Sequence, residues 1–260
     1  MSGAPQAHAF ALIVGLERYR DVPAVPGARR DAEQFALMAR TTLGLPQRNI
    51  RMLLDERAAK GDIEAALDWL KASVGPAGRV YFFYSGHGAP DPDSGKAYLV
   101  PHGGNPSTIR RTGLLLDEVV KALGETKARE SFVFLDSCFS GAGGRSVRPE
   151  GARPLTLRTA STGQPRVAIF ASAGATEISG PDQQGSQGLF TKYLLAAIGQ
   201  AKADVDGDGQ ISMAELLTWV KPRVSAEARR LERAQTPELT VGADLGRAEE
   251  LIVAHGMSAP

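Results

Sequence analysis

The chain has a single cysteine, Cys138, in 260 residues. That excludes an internal disulfide framework and suits a reducing compartment. An excess of either charge is also missing, since 30 Lys and Arg stand against 29 Asp and Glu for a net +1. No global field then favours nucleic acid or an anionic membrane, and neither is expected as a partner. No apolar run exceeds strand length, well short of the ~20 residues that a membrane-spanning helix needs. The opening Met1-Ser-Gly-Ala-Pro-Gln-Ala7 has no basic stretch leading into a signal-like apolar one. A soluble, cytoplasmic protein is the expectation. What is plentiful is core material: 43% of residues are hydrophobic, enough for one sizeable core.

Strand-like and helix-like runs alternate along the chain. Strands are expected at Ala9–Leu16, Ile50–Leu54, Val80–Tyr84, Ala97–Val100, Phe132–Leu135, Val167–Ala171 and near Leu239–Val241. Helices are expected over Asp31–Thr42, Asp62–Val74, Leu114–Leu123, Leu189–Ala201 and Ser212–Leu231, with apolar residues recurring on one face. Such alternation predicts an α/β fold, a mostly parallel central sheet flanked by helices on both faces. Gly141–Gln164 breaks the pattern. It is rich in Gly, Pro, Ser, Thr and Arg, lacks apolar periodicity, and reads as a long exposed loop.

Two of the expected strands end in chemistry. Val80-Tyr-Phe-Phe-Tyr-Ser-Gly-His-Gly88 ends with His87 between two glycines, and Phe132-Val-Phe-Leu-Asp-Ser-Cys-Phe-Ser-Gly141 ends with Cys138 in a turn-forming stretch. Parallel strands finish on one edge of a sheet, where such folds build their sites. A thiol and an imidazole meeting there are what nucleophilic cysteine catalysis requires. The bland alternative is a buried structural cysteine and a histidine in a tight turn. Of the other histidines, His8 and His255 lie near the termini, where disorder is expected, and His102 reads as a loop residue.

In these motifs the chain resembles the caspase-like cysteine peptidases, and among them the metacaspases and their bacterial relatives. Ser85-Gly-His-Gly88 matches the family's histidine motif and Asp136-Ser-Cys-Phe-Ser-Gly141 its cysteine motif. The two residues lie 51 positions apart, near the ~50 of caspases. Phe139 stands where metacaspases usually carry a second histidine, and the Gln-Ala-Cys-x-Gly signature of caspases is absent. The resemblance implies a single caspase-like domain over 1–260. Its large-subunit-like segment would cover about 8–140, a linker 141–165 and a small-subunit-like segment 166–260.

The resemblance further implies an endopeptidase acting on proteins or peptides, with Cys138 as nucleophile and His87 as its base and acid. The N–H groups of Gly88 and Cys138 would bind the oxyanion. Asp136, two residues before the thiol on extended backbone, shares its face. It matches the aspartate with which metacaspases receive Arg or Lys; the competing reading is a cap on the following turn. Asp31 and Ser172 fall where relatives place other pocket residues. Arg145, Arg148, Arg153 and Arg158, with Arg166 just beyond, would offer such an enzyme its own linker as a substrate, so autoprocessing is expected.

One segment points elsewhere. Asp204-Val-Asp-Gly-Asp-Gly-Gln-Ile-Ser-Met-Ala-Glu215 fits a twelve-position EF-hand loop. Asp204, Asp206 and Asp208 stand at positions 1, 3 and 5, Gly209 at the sharp turn, and Gln210 (through its carbonyl), Ser212 and Glu215 at 7, 9 and 12. Calcium is the expected cofactor, against the alternative of an Asp/Gly-rich turn between helices. Ile211 has no second loop to pair with, and Asp91 and Asp93 are weaker calcium candidates. A rival to the enzyme reading is a non-catalytic, calcium-responsive interaction domain of the same fold.

Overall fold

The buried strands dictate the architecture. The computed structural model describes residues 5–139, 164–174 and 177–255. In chain order the elements are β1 (Ala9–Gly15), α1 (Ala28–Thr41), β2 (Ile50–Leu54), α2 (Lys60–Ser73), β3 (Arg79–Ser85), β4 (Gly88–Pro90) and β5 (Ala97–Leu99). Then come α3 (Ile109–Thr112), β6 (Leu114–Leu115), α4 (Leu116–Gly124), β7 (Glu130–Asp136), β8 (Val167–Ala171) and α5 (Leu189–Gly199). The chain finishes with β9 (Gln210–Ser212), α6 (Met213–Arg230), β10 (Glu238–Val241) and β11 (Ile252–His255). The main sheet runs β10-β8-β7-β3-β1-β2, parallel except for β10, which is antiparallel to β8. The expected α/β class holds.

β3 and β7 are buried along their whole length, as central parallel strands covered on both faces must be. Their side chains alternate between two cores. Tyr81, Phe83, Phe132 and Phe134 enter a layer with α1, α5 and α6. Val80, Phe82, Tyr84, Val133 and Leu135 enter the other, with α2 and α4. Phe35 of α1 stacks on Phe83 at 4.4 Å, an aromatic pairing that adds to the area buried. The apolar periods expected for α1 and α2 are the faces that pack: Ala32, Phe35 and Ala39 in one core, Ile63, Ala66 and Leu70 in the other.

Several elements differ from expectation. The run expected as one helix from Leu114 begins as β6, because Leu114 and Leu115 pair with Leu99 and Tyr98 of β5. A three-residue strand, β4, follows His87 directly and pairs with β5. His255, placed by sequence in a region where disorder is expected, lies in β11. Ile211, which has no second loop to pair with, pairs instead through β9 with Ala254 of β11. His255 lies 2.7 Å from Arg79 Nη1 through its Nε2. Burial, and then the Arg79 charge, hold its pKa below the ordinary histidine value. The carbonyl of His8 accepts from the Arg79 N–H at 3.2 Å. Among the described residues no helix is long and apolar enough to cross a membrane.

β11 is thus part of the core. Val253 is fully buried in the layer that also holds α5 and α6. Val253→Asp would bury an unpaired carboxylate there, and we expect it to destabilise the fold by ~3 kcal/mol or more in chemical denaturation. A loss under ~1 kcal/mol would show β11 to be dispensable to the core.

Candidate active site

The site follows from strand register. β3 and β7 pair in parallel so that Ser85 lies opposite Asp136. His87 and Cys138 each follow two residues later, so both leave the same edge at the same level. The two loops touch at Gly88, where any Cβ would collide with the Cys138 carbonyl oxygen and the Phe139 ring. Only glycine permits that approach. Gly86 is equally confined, since a Cβ there would lie 2.6 Å from Tyr19 Oη. The Gly86 N–H bonds the Asp136 carbonyl at 3.3 Å, tying the two motif loops together.

His87 is buried, at 2% exposure. Its Nε2 lies 2.8 Å from the carbonyl oxygen of Pro23, and its ring tilts against Tyr19 with centroids 5.0 Å apart. A carbonyl only accepts, so Nε2 carries a proton and the neutral ring keeps its lone pair on Nδ1. Its backbone is fixed as well: the N–H donates to Tyr19 Oη at 2.7 Å, and the carbonyl accepts from Tyr84 Oη at 2.7 Å. Neither Pro23 nor Tyr19 has a residue type or spacing that singles it out in the sequence.

Cys138 is buried too, at 1% exposure. Its thiol donates to the carbonyl of Ser179 at 3.2 Å and accepts from the Ser179 N–H. Asp136 is fully buried and accepts hydrogen bonds from Ser179 Oγ at 2.8 Å, Thr191 Oγ1 at 2.7 Å and the Thr191 N–H at 3.1 Å. Asp31, also fully buried, accepts from Ser85 Oγ at 2.9 Å and from the Gly188 N–H at 3.1 Å. Gly188 caps α5 and Thr191 lies in its first turn. Both carboxylates are therefore held at a helix N-terminus, whose free N–H groups and dipole favour negative charge. Ser172 Oγ donates to the carbonyl of Ser137 at 3.1 Å. The structure so brings Asp31, His87, Gly88, Asp136, Cys138 and Ser172 to one sheet edge. Asp136 bonds Thr191 and Ser179, both far along the chain.

Other candidates fall elsewhere. His102 holds the Arg18 carbonyl through Nδ1 at 3.0 Å. Arg110 binds both Asp91, at 2.9 Å, and Asp93, at 2.6 Å. Burial opposes ionisation of Asp91, but hydrogen bonds from Arg110 and Ser94 outweigh it and its pKa lies below the ordinary value. The segment 141–163, with Arg145, Arg148, Arg153 and Arg158, lies outside the described residues. Arg166 is not exposed bait: its guanidinium donates to the carbonyls of Gly124, Thr126 and Ala128 at 3.1–3.3 Å.

In the acidic loop, Asp204, Asp206 and Asp208 each present a carboxylate oxygen within 4.8 Å of the others. Gly207 and Gly209 take positive φ of 76° and 79°. Glu215 serves the start of α6, accepting from the Ser212 N–H at 2.8 Å and Oγ at 2.9 Å, while its other oxygen takes the Val205 N–H at 3.2 Å. Gln210 lies in β9, where it pairs with His255.

The chain is similar to several known proteins. The caspase-domain family model matches residues 8–243. A probable protease from a Desulfuromonadales bacterium is 26% identical over 262 residues, covering 88% of this chain and 31% of that protein. Metacaspase-1A of Aspergillus oryzae is 27% identical over 107 residues, covering 35% of this chain and 26% of that protein. The chain thus spans about a third or less of these relatives' length. Among solved structures, a Geobacter sulfurreducens protein superposes with a TM-score of 0.66 at 19% identity, covering 94% of this chain and 98% of that one. Caspase-1 of Spodoptera frugiperda superposes at 0.58 with 12% identity, covering 93% and 88%. With its sheet order, its paired motif loops and a family match over nearly its whole length, the chain belongs to the caspase-domain family of peptidases and is related within it to the metacaspases.

Proposed function

We propose that this protein is a cysteine endopeptidase that cleaves proteins or peptides after Arg or Lys, through a dyad of Cys138 and His87. The observation that carries the reading is the β3–β7 register, which delivers both residues to one edge. In the proposed reaction, the Cys138 sulfur attacks the scissile carbonyl carbon and its proton passes to His87 Nδ1. The N–H groups of Gly88 and Cys138 receive the oxyanion. His87 then gives its proton to the leaving amine as the C–N bond breaks, leaving a thioester that water hydrolyses. The Pro23 carbonyl orients the imidazole and supports its cationic form.

Asp136 and Asp31 give the specificity. Two buried carboxylates beside a thiol would oppose a substrate anion and receive a substrate cation. A guanidinium at Asp136 would replace the hydroxyl donor that Ser179 now supplies.

Calcium is proposed at the acidic loop. Calcium–oxygen distances of ~2.3–2.6 Å let three ligand oxygens lie within about 5 Å of each other, and Asp204, Asp206 and Asp208 meet that condition. The carbonyl of Gln210, Ser212 and Glu215 would complete the set. The ion would offset carboxylate repulsion and fix α5 relative to α6. Cleavage of the segment 141–163 by the enzyme itself remains part of the proposal, through its arginines.

Cys138→Ala and His87→Ala are each expected to abolish peptide hydrolysis while the fold is retained. The double variant should be scarcely worse, because members of one catalytic unit are not additive. Appreciable turnover by Cys138→Ala would end the assignment. Asp136→Ala should lose cleavage after Arg and Lys by far more than it loses thiol alkylation, and wild-type cleavage after Asp would contradict the pocket. For calcium, Asp204→Ala/Glu215→Ala should remove the rise in melting temperature on adding Ca²⁺. An identical melting temperature of wild type with Ca²⁺ and with chelator would rule the site out.

A further inference from the structure

The residue that meets Cys138 is not a neighbour in sequence. Ser179 lies in the segment between β8 and α5, is fully buried, and engages the thiol through both its N–H and its carbonyl. The same residue's hydroxyl donates to Asp136 Oδ1 at 2.8 Å. A scissile carbonyl must come within ~3–3.5 Å of the sulfur to react, and Ser179 main chain stands there. A substrate cation would have to reach Asp136, and Ser179 Oγ stands there too. One residue therefore occupies both the nucleophile and the proposed specificity carboxylate.

This segment is held from outside. Gln235, in the turn after α6 and only 1% exposed, accepts the Gly180 N–H at 3.3 Å through Oε1. Its Nε2 donates to Ser179 Oγ at 3.3 Å and to the Ser172 carbonyl at 3.2 Å. The Ile178 N–H bonds the Ala234 carbonyl at 3.2 Å. Glu177 accepts from Thr236, through the backbone N–H at 2.5 Å and Oγ1 at 2.8 Å. Residues 177–180 are thus pinned to 234–236 while Ser179 fills the site.

We propose that Ser179 is an intramolecular plug, latched by Gln235, and that this conformation is a latent form of the enzyme. The inference deepens the peptidase reading, since it concerns the regulation of the same site. Substrate entry requires 177–180 to move off Cys138, and the cost of that motion is set by hydrogen bonds to the 234–236 turn. The thiol–carbonyl bond fits a resting state, because a carbonyl oxygen accepts only from a protonated thiol.

Having one cysteine makes the test clean. Iodoacetamide can alkylate only Cys138, and the rate reports how often the plug opens, whether or not the protein hydrolyses peptides. In Gln235→Ala, which loses the side-chain bonds that hold the plug, alkylation should run about tenfold faster than in wild type, with cooperative melting retained. Glu177→Gln, which weakens the separate hold on Thr236, provides a second readout should Gln235→Ala not fold, and should also accelerate labelling. Rates within twofold of wild type in the folded variants would overturn the plug and leave the peptidase reading standing. Faster alkylation without hydrolysis of arginyl or lysyl peptides would support the plug and overturn the peptidase reading.

Discussion

The pairing of β3 with β7 is the constraint on which the rest depends. Seven residue pairs, from Arg79–Glu130 to Ser85–Asp136, run in parallel register through the middle of the sheet. Because side chains alternate along a strand, a slip of one residue would exchange the two cores. It would also break the level pairing of the His87 and Cys138 loops. Packing therefore enforces the site: Phe83 against Phe35 on one face, and Tyr84 on the other, whose hydroxyl holds the His87 carbonyl. The aromatic bulk of these strands keeps two loops at one level and close enough for Gly88 to touch the Cys138 carbonyl.

The second half of the chain closes the site around this edge. The N-terminus of α5 supplies N–H groups to both Asp31 and Asp136, so two buried carboxylates coexist at one helix end. α6 begins at the acidic loop, with Glu215 in its first turn, and ends just before the turn that carries Gln235. One helix thus joins the proposed calcium loop to the proposed latch. Lys192 of α5 and Glu227 of α6 pair at 2.9 Å, and β11 covers β9 at the helix's start.

Much of this was legible in the sequence because buried strands and amphipathic helices write their periods plainly. Val80–Tyr84 and Phe132–Leu135 are continuous apolar runs that stop at a histidine and at a cysteine, and the edge of a parallel sheet follows. The rest depends on contacts between residues distant in sequence and ordinary in type. Pro23 matters through its carbonyl, Tyr19 through a hydroxyl on a loop, and Thr191 through its place in the first turn of α5. Ser179 and Gln235, 56 positions apart, meet only once the fold has closed. β11 is four residues long and pairs with a three-residue strand, too short for alternation to stand out. Arg166 reads in sequence as a continuation of an exposed linker because its acceptors are backbone carbonyls, which leave no mark in a sequence.

The central claim is that Cys138 is a nucleophile served by a pocket for basic residues. The most direct measurement exposes the protein to excess peptidyl-arginine acyloxymethyl ketone, and in parallel to its aspartyl counterpart, and maps the adduct by mass spectrometry. The account predicts one covalent adduct, on Cys138, from the arginyl probe, and little or none from the aspartyl one. Equal labelling by both, or no arginyl adduct in protein whose Cys138 iodoacetamide readily alkylates, would contradict it.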